Sequence, residues 1–94
     1  MARVELAAAA AEDLDRLILT HSLPANTKAR LQRPLRPLER FPLLGAELGG
    51  RWTNLRFVLG PWRWMVVVYA YLEDADRVVV VTIQDGLSSA GPTA

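Results

Sequence analysis

The 94-residue sequence predicts an α+β domain: an N-terminal helical hairpin packed on a mainly antiparallel sheet of about four strands, in the order β-α-α-β-β-β. Three observations carry this. Residues 51–85 hold three runs rich in Val, Ile, Trp, Tyr and Phe, separated by the turn formers Gly60-Pro61 and Glu73-Asp74-Ala75-Asp76. Connections that short imply an antiparallel meander. Upstream, apolar residues recur at helical spacing in two successive stretches, and before them Arg3-Val4-Glu5-Leu6 alternates as a half-buried strand does.

The elements follow in chain order. Ala7, Ala10, Ala11, Leu14, Leu17 and Ile18 form one face of a helix ending near Thr20 or His21, with Glu12, Asp13, Asp15 and Arg16 mostly opposite. Its start has no Ser, Thr, Asp or Asn to cap it, so alanine propensity must compensate. Pro24 suits the first turn of a second helix, which turns Leu31, Leu35 and Leu38 inward and Lys28, Arg30, Arg33, Arg36 and Arg40 outward. Pro34 and Pro37 predict a break near Arg33, because a proline inside a helix costs about 3 kcal/mol, with the second piece ending at Phe41-Pro42.

Residues 43–50 read as a turn-rich connection. The next strand, residues 52–59, is expected to turn Leu55, Phe57 and Leu59 to the helices and Trp52, Asn54, Arg56 and Val58 away from them. Residues 62–72 are apolar on both faces apart from Arg63 and are assigned the central position. The last strand covers residues 77–85. Residues 1–85 thus form a single domain, and residues 86–94, poor in residues to bury, are expected to be a flexible tail.

Composition narrows the function classes. At this length about two thirds of the unfolded surface is buried, which allows one core. A hydrophobic fraction of 51% is high for so small a domain and predicts a protein partner covering apolar surface. No apolar run is long enough to span a bilayer, and no basic-then-apolar leader is seen, so a cytoplasmic protein without membrane association is expected. With no Cys and one His, no metal site and no cofactor is expected. No phosphate-binding glycine loop or nucleophile elbow is present. His21 is expected to sit at a helix end without a catalytic role, since no Ser or Cys nucleophile motif accompanies it.

Net charge is only +1, yet it is unevenly spread. Between Lys28 and Arg63 eight cationic residues meet only Glu39 and Glu47, while both flanks are acidic. A basic centre suits nucleic acid or an acidic protein; a set of solvated edges is the plain alternative.

Arg56, Gly60, Trp62 and Arg63, followed by Val66-Val67-Val68-Tyr69, stand in a spacing close to the R-x-G-x-Y-R core of the RelE/ParE toxin superfamily, and Pro42-x-x-Gly45-x-x-Leu48-x-Gly50 is similar to its linker. The resemblance spans the first strand to about Asp85. It implies the toxin half of a bacterial type II toxin-antitoxin pair, neutralised by a cognate antitoxin and acting on DNA gyrase or on translation. Homo-oligomerisation is an option when the antitoxin is absent. Two alternatives stand beside this: a ribosome-dependent mRNA endoribonuclease, and a non-toxic interaction module or degenerate toxin.

On the resemblance, Arg56 and Arg63 are the candidates for holding phosphates in catalysis, a task that guanidinium groups suit. Arg33, Arg36, Arg40, Arg51, Trp52, Arg56, Trp62 and Arg63 are the candidates for target or antitoxin binding. The tryptophans Trp52, Trp62 and Trp64 are read first as packing residues and second as base-stacking ones. Ribonuclease members carry basic residues and often a tyrosine beyond the last strand. After Arg77 this chain has no Lys, Arg, His or Tyr, which argues for action by binding over cleavage.

Overall fold

The structure, a computed structural model, describes residues 1–86; the expected flexible tail lies, but for Gly86, outside the described residues. Strand β1 (Arg3–Leu6) opens the domain, followed by α1 (Ala8–Thr20) and α2 (Thr27–Leu35), a two-residue β2 (Ala46–Glu47), β3 (Arg56–Leu59), β4 (Met65–Leu72) and β5 (Arg77–Asp85). The sheet order is β1-β5-β4-β3-β2, with β4 in the middle as expected. Strands β2 to β5 pair antiparallel, and β1 lies parallel to β5, with Val4 opposite Val78 and Leu6 opposite Val80.

This corrects the expected architecture in two ways. The sheet has five strands, not about four, and the helices are not an N-terminal hairpin, because β1 precedes them and joins the last strand. The fifth strand, Ala46–Glu47, has no β-forming composition. It pairs with Phe57 and Arg56 because side chains elsewhere tie down its flank, a tertiary effect that propensity does not report. Helix α1 packs along β5, and α2 reaches β3.

The core joins Ala10 and Leu14 of α1, Leu31, Leu35 and the following Leu38, and Met65, Val67, Tyr69, Val78, Val80 and Ile83 of the sheet. Asp13, placed by periodicity on the solvent face of α1, instead accepts hydrogen bonds from Thr82 Oγ1 (2.6 Å) and Ile83 N (3.2 Å), which fixes the helix to β5. Helix α1 does start without a side-chain cap. Helix α2 continues through Pro34 to Leu35, two residues beyond the expected break, and then tightens into a 3-10 turn, Arg36–Glu39, with Pro37 near its start. A bulge between Val68 and Tyr69 shifts the β4–β5 register, leaving Val81 as the extra residue.

Strand β3 is shorter than expected, since Gly50–Trp52 form a 3-10 turn and Asn54 adopts φ 75°, a left-handed conformation that Asn tolerates. Its parity is the reverse of the expectation. Arg56 pairs with Tyr69 and Val58 with Val67, so these two share the helix-facing side, while Phe57 and Leu59 lie with Val68 and Val66 on the other. Both sets contain apolar residues, and pairing with β4 decides between them. Among the described residues no helix is long and apolar enough to cross a membrane.

Candidate functional site

The turn between β3 and β4 organises the site. Gly60 N donates to Met65 O (2.8 Å) and Met65 N to Trp62 O (3.0 Å), closing a tight connection over residues 60–65. A Cβ on Gly60 would stand 2.7 Å from Met65 Sδ, so the close approach requires glycine. The turn presents Trp62, Arg63 and Trp64. Both indoles are half-buried and pack against the core, stacked on one another with ring centres 6.2 Å apart.

A ladder of rings extends from this pair. His21, at the C-terminal end of α1, stacks on Trp64 at 4.4 Å, and its Nε2 lies 3.2 Å from Asp85 Oδ2. At the other end the guanidinium of Arg30, on α2, sits 5.9 Å from the centre of the Trp62 ring. The chain ends of α1, β4 and β5 are thereby pinned together, with Gly86 N donating to Trp64 O (2.6 Å). Beside the ladder Arg30, Arg33, Pro34, Gly60 and Pro61 line a cleft of about 590 Å³.

The remaining candidates fall elsewhere. Arg36 lines a separate cleft with Val4, Leu6 and Glu39; Arg51 lies 5.7 Å from the ring of Trp52 on its 3-10 turn; Arg40 is exposed after the other 3-10 turn. Arg56 is engaged in the scaffold. Its Nη1 donates to Gly45 O (2.8 Å) and Leu43 O (3.2 Å), and its Nη2 to Glu47 Oε1 (2.9 Å). Tyr69, paired with Arg56 across the sheet, accepts at its hydroxyl from Gly45 N (2.8 Å). Burial raises the Tyr69 pKa, against the opposing pull of that N–H and of the Arg56 charge.

Arg63 differs from Arg56 in being exposed, with no hydrogen bond or ion pair among the described residues. The motif arginines therefore divide into one that holds the linker and one that faces solvent. The sequence places Arg30 among the outward cations of α2 but shows neither its position over Trp62 nor the pairing of His21 with Asp85. Neither has a local signal: position 30 meets 62, and 21 meets 85, only after the sheet has formed.

No protein-family model matches the sequence, and no curated protein matches it significantly. Solved structures do match. The isolated E. coli RelE toxin aligns with a TM-score of 0.68 at 12% identity, covering 96% of this chain and 89% of its own. A chain of the RelBE2 toxin-antitoxin complex of Mycobacterium tuberculosis gives 0.66 at 20% identity, covering 89% and 90%. A chain of the chromosomal ParDE system of P. aeruginosa gives 0.66 at 15% identity, covering 90% and 96%.

The fold is that of the RelE/ParE toxins. Within the RelE/ParE fold, the spacing from Arg56 to Arg63 maps onto β3 and the turn before β4. The five-stranded sheet and the two helices between β1 and β2 carry that fold.

Proposed function

We propose that this protein is the toxin component of a type II toxin-antitoxin pair, acting in the cytoplasm and neutralised by a cognate antitoxin. The observation that carries the reading is the match of nearly the whole chain to RelE/ParE toxins in fold, joined to the Arg56–Arg63 motif on β3 and the turn before β4. The toxin acts by binding its target, DNA gyrase or the translation machinery, and not by cutting RNA. Proton transfer to and from ribose oxygens needs groups of suitable pKa, and losing one such group typically costs about 10²- to 10⁴-fold. Residues 78–94 hold no Lys, Arg, His or Tyr, and Arg56 spends its donors on Leu43, Gly45 and Glu47.

Arg63, Arg33 and Trp62 are the residues offered to the target or the antitoxin. Exposed leucines at positions 6, 19, 43, 44, 59 and 72, with Phe41, give an antitoxin apolar surface to cover. Co-expression tests the pairing. Induced alone in a bacterial host, the protein is expected to arrest growth, and an acidic protein encoded beside it is expected to restore growth and to co-purify with it. Unimpaired growth on induction, with verified expression, would reject the toxin reading in favour of a non-toxic interaction module.

A further inference from the structure

We propose that the cleft between α2 and the Gly60–Trp62 turn is a phosphate-binding site, in which Arg30 and Arg33 grip one phosphate group. This does not depend on the chain being a toxin. Charge singles the cleft out among the arginine-bearing ones described. The cleft of Arg36 contains Glu39, that of Arg56 contains Glu47, and that of Arg3 and Arg77 contains Asp76. The cleft of Arg30 and Arg33 is lined by no carboxylate, and neither arginine has an ion-pair partner among the described residues. Two guanidinium groups facing one cavity without a counterion repel each other, and an oxyanion relieves that repulsion.

Geometry points the same way. Residues 30 and 33 are one helical turn apart, so their side chains leave α2 on one face. Arg30 is held over the Trp62 indole, and the indole is held by Trp64 and His21 behind it. A guanidinium resting near a ring loses part of its rotamer freedom before an anion arrives, while its N–H donors, which make no hydrogen bond among the described residues, can turn to the cleft. Pro34 and Pro61 add stiff walls on opposite sides. Planar, two-pronged donors match phosphate oxygens better than a point charge does.

Such a phosphate has two sources, a free nucleotide or the backbone of a single-stranded nucleic acid, and the test separates them. The full-length protein is titrated with sodium pyrophosphate, with adenosine monophosphate and with a short single-stranded oligonucleotide, followed by tryptophan fluorescence and by calorimetry. Saturable binding is expected, weakened about tenfold or more by Arg30→Ala and by Arg33→Ala and unchanged by Arg40→Ala. Trp62→Leu should weaken it several-fold by freeing Arg30, and Arg30→Lys should weaken it while keeping the charge.

Comparable affinity for all three probes assigns a free phosphate compound. Preference for the oligonucleotide, with a steep loss on adding salt, assigns the nucleic-acid backbone. The proposal is overturned if the wild-type protein binds none of the probes at millimolar concentration. It is equally overturned if binding ignores Arg30 and Arg33, or if a polyglutamate peptide binds there and the phosphates do not. Arg30 and Arg33 are exposed, so their variants are expected to fold, and circular dichroism verifies this.

Discussion

Replacing Arg56 and Arg63 separately by alanine should give opposite results, although both belong to one motif. The Arg56 side chain is only 23% exposed and makes three hydrogen bonds, two of them to the carbonyls of Leu43 and Gly45. The third is to Glu47, which is 77% exposed, so that ion pair contributes well under about 1 kcal/mol. Hydrogen bonds from a charged donor to carbonyls that would otherwise lose their partner contribute about 1.5–3 kcal/mol together. Arg56→Ala should therefore destabilise the fold by about 2 kcal/mol, or roughly 10 °C in Tm for a domain of this size.

Arg63 has no such partner among the described residues, and its loss should change stability by less than about 0.5 kcal/mol. Urea denaturation gives the energies, and growth of a host expressing each variant gives the function. Arg56→Ala should reduce toxicity only as far as it reduces folded protein, whereas Arg63→Ala should reduce it at full stability. If Arg56→Ala is as stable as the wild type and non-toxic, the division of labour drawn here is wrong and Arg56 meets the target.

Other outcomes follow from the same linker and site. The Tyr69 proton is held more tightly in the folded state, so its stabilising contribution is complete below the unfolded pKa of about 10 and is lost as pH rises through the folded value. Stability measured by denaturant midpoint should fall above about pH 10, and Tyr69→Phe should flatten that fall while costing about 1 kcal/mol at neutral pH. Gly45→Ala would place a Cβ 2.6 Å from Phe57 O and 2.7 Å from the Tyr69 hydroxyl, so a loss of about 2–4 kcal/mol is expected on thermal unfolding. In a purified translation system, messenger RNA should remain intact at concentrations of the protein far above those that arrest growth. Robust cleavage abolished by Arg63→Ala would show that the remaining residues suffice for catalysis.

Where the sequence was readable, the signal was local. The strand at residues 3–6 alternates and the one at residues 77–85 is a β-branched run, both with the bounds observed, and the central place of β4 follows from its apolar character on both faces. Strand β2 had no local signal, because Ala46 and Glu47 are extended by what Arg56 and Tyr69 do to Gly45 beside them. The parity of β3 was misread for a related reason: a strand with apolar residues on both sides is oriented by its partner's register. At the site, the motif placed Trp62 and Arg63 on one turn. It could not show that Arg56 points into the scaffold, nor that Arg30 lies over Trp62, since each depends on contacts between distant segments.

The most direct measurement is the growth of a bacterial host after induction of the wild-type protein and of Arg63→Ala at matched soluble levels. Growth arrest by the wild type, relieved by Arg63→Ala with unchanged thermal stability, is the predicted result. Normal growth with the folded wild-type protein present, or equal arrest by both proteins, would contradict the claim that this chain is a toxin acting through the exposed arginine of its β3–β4 turn.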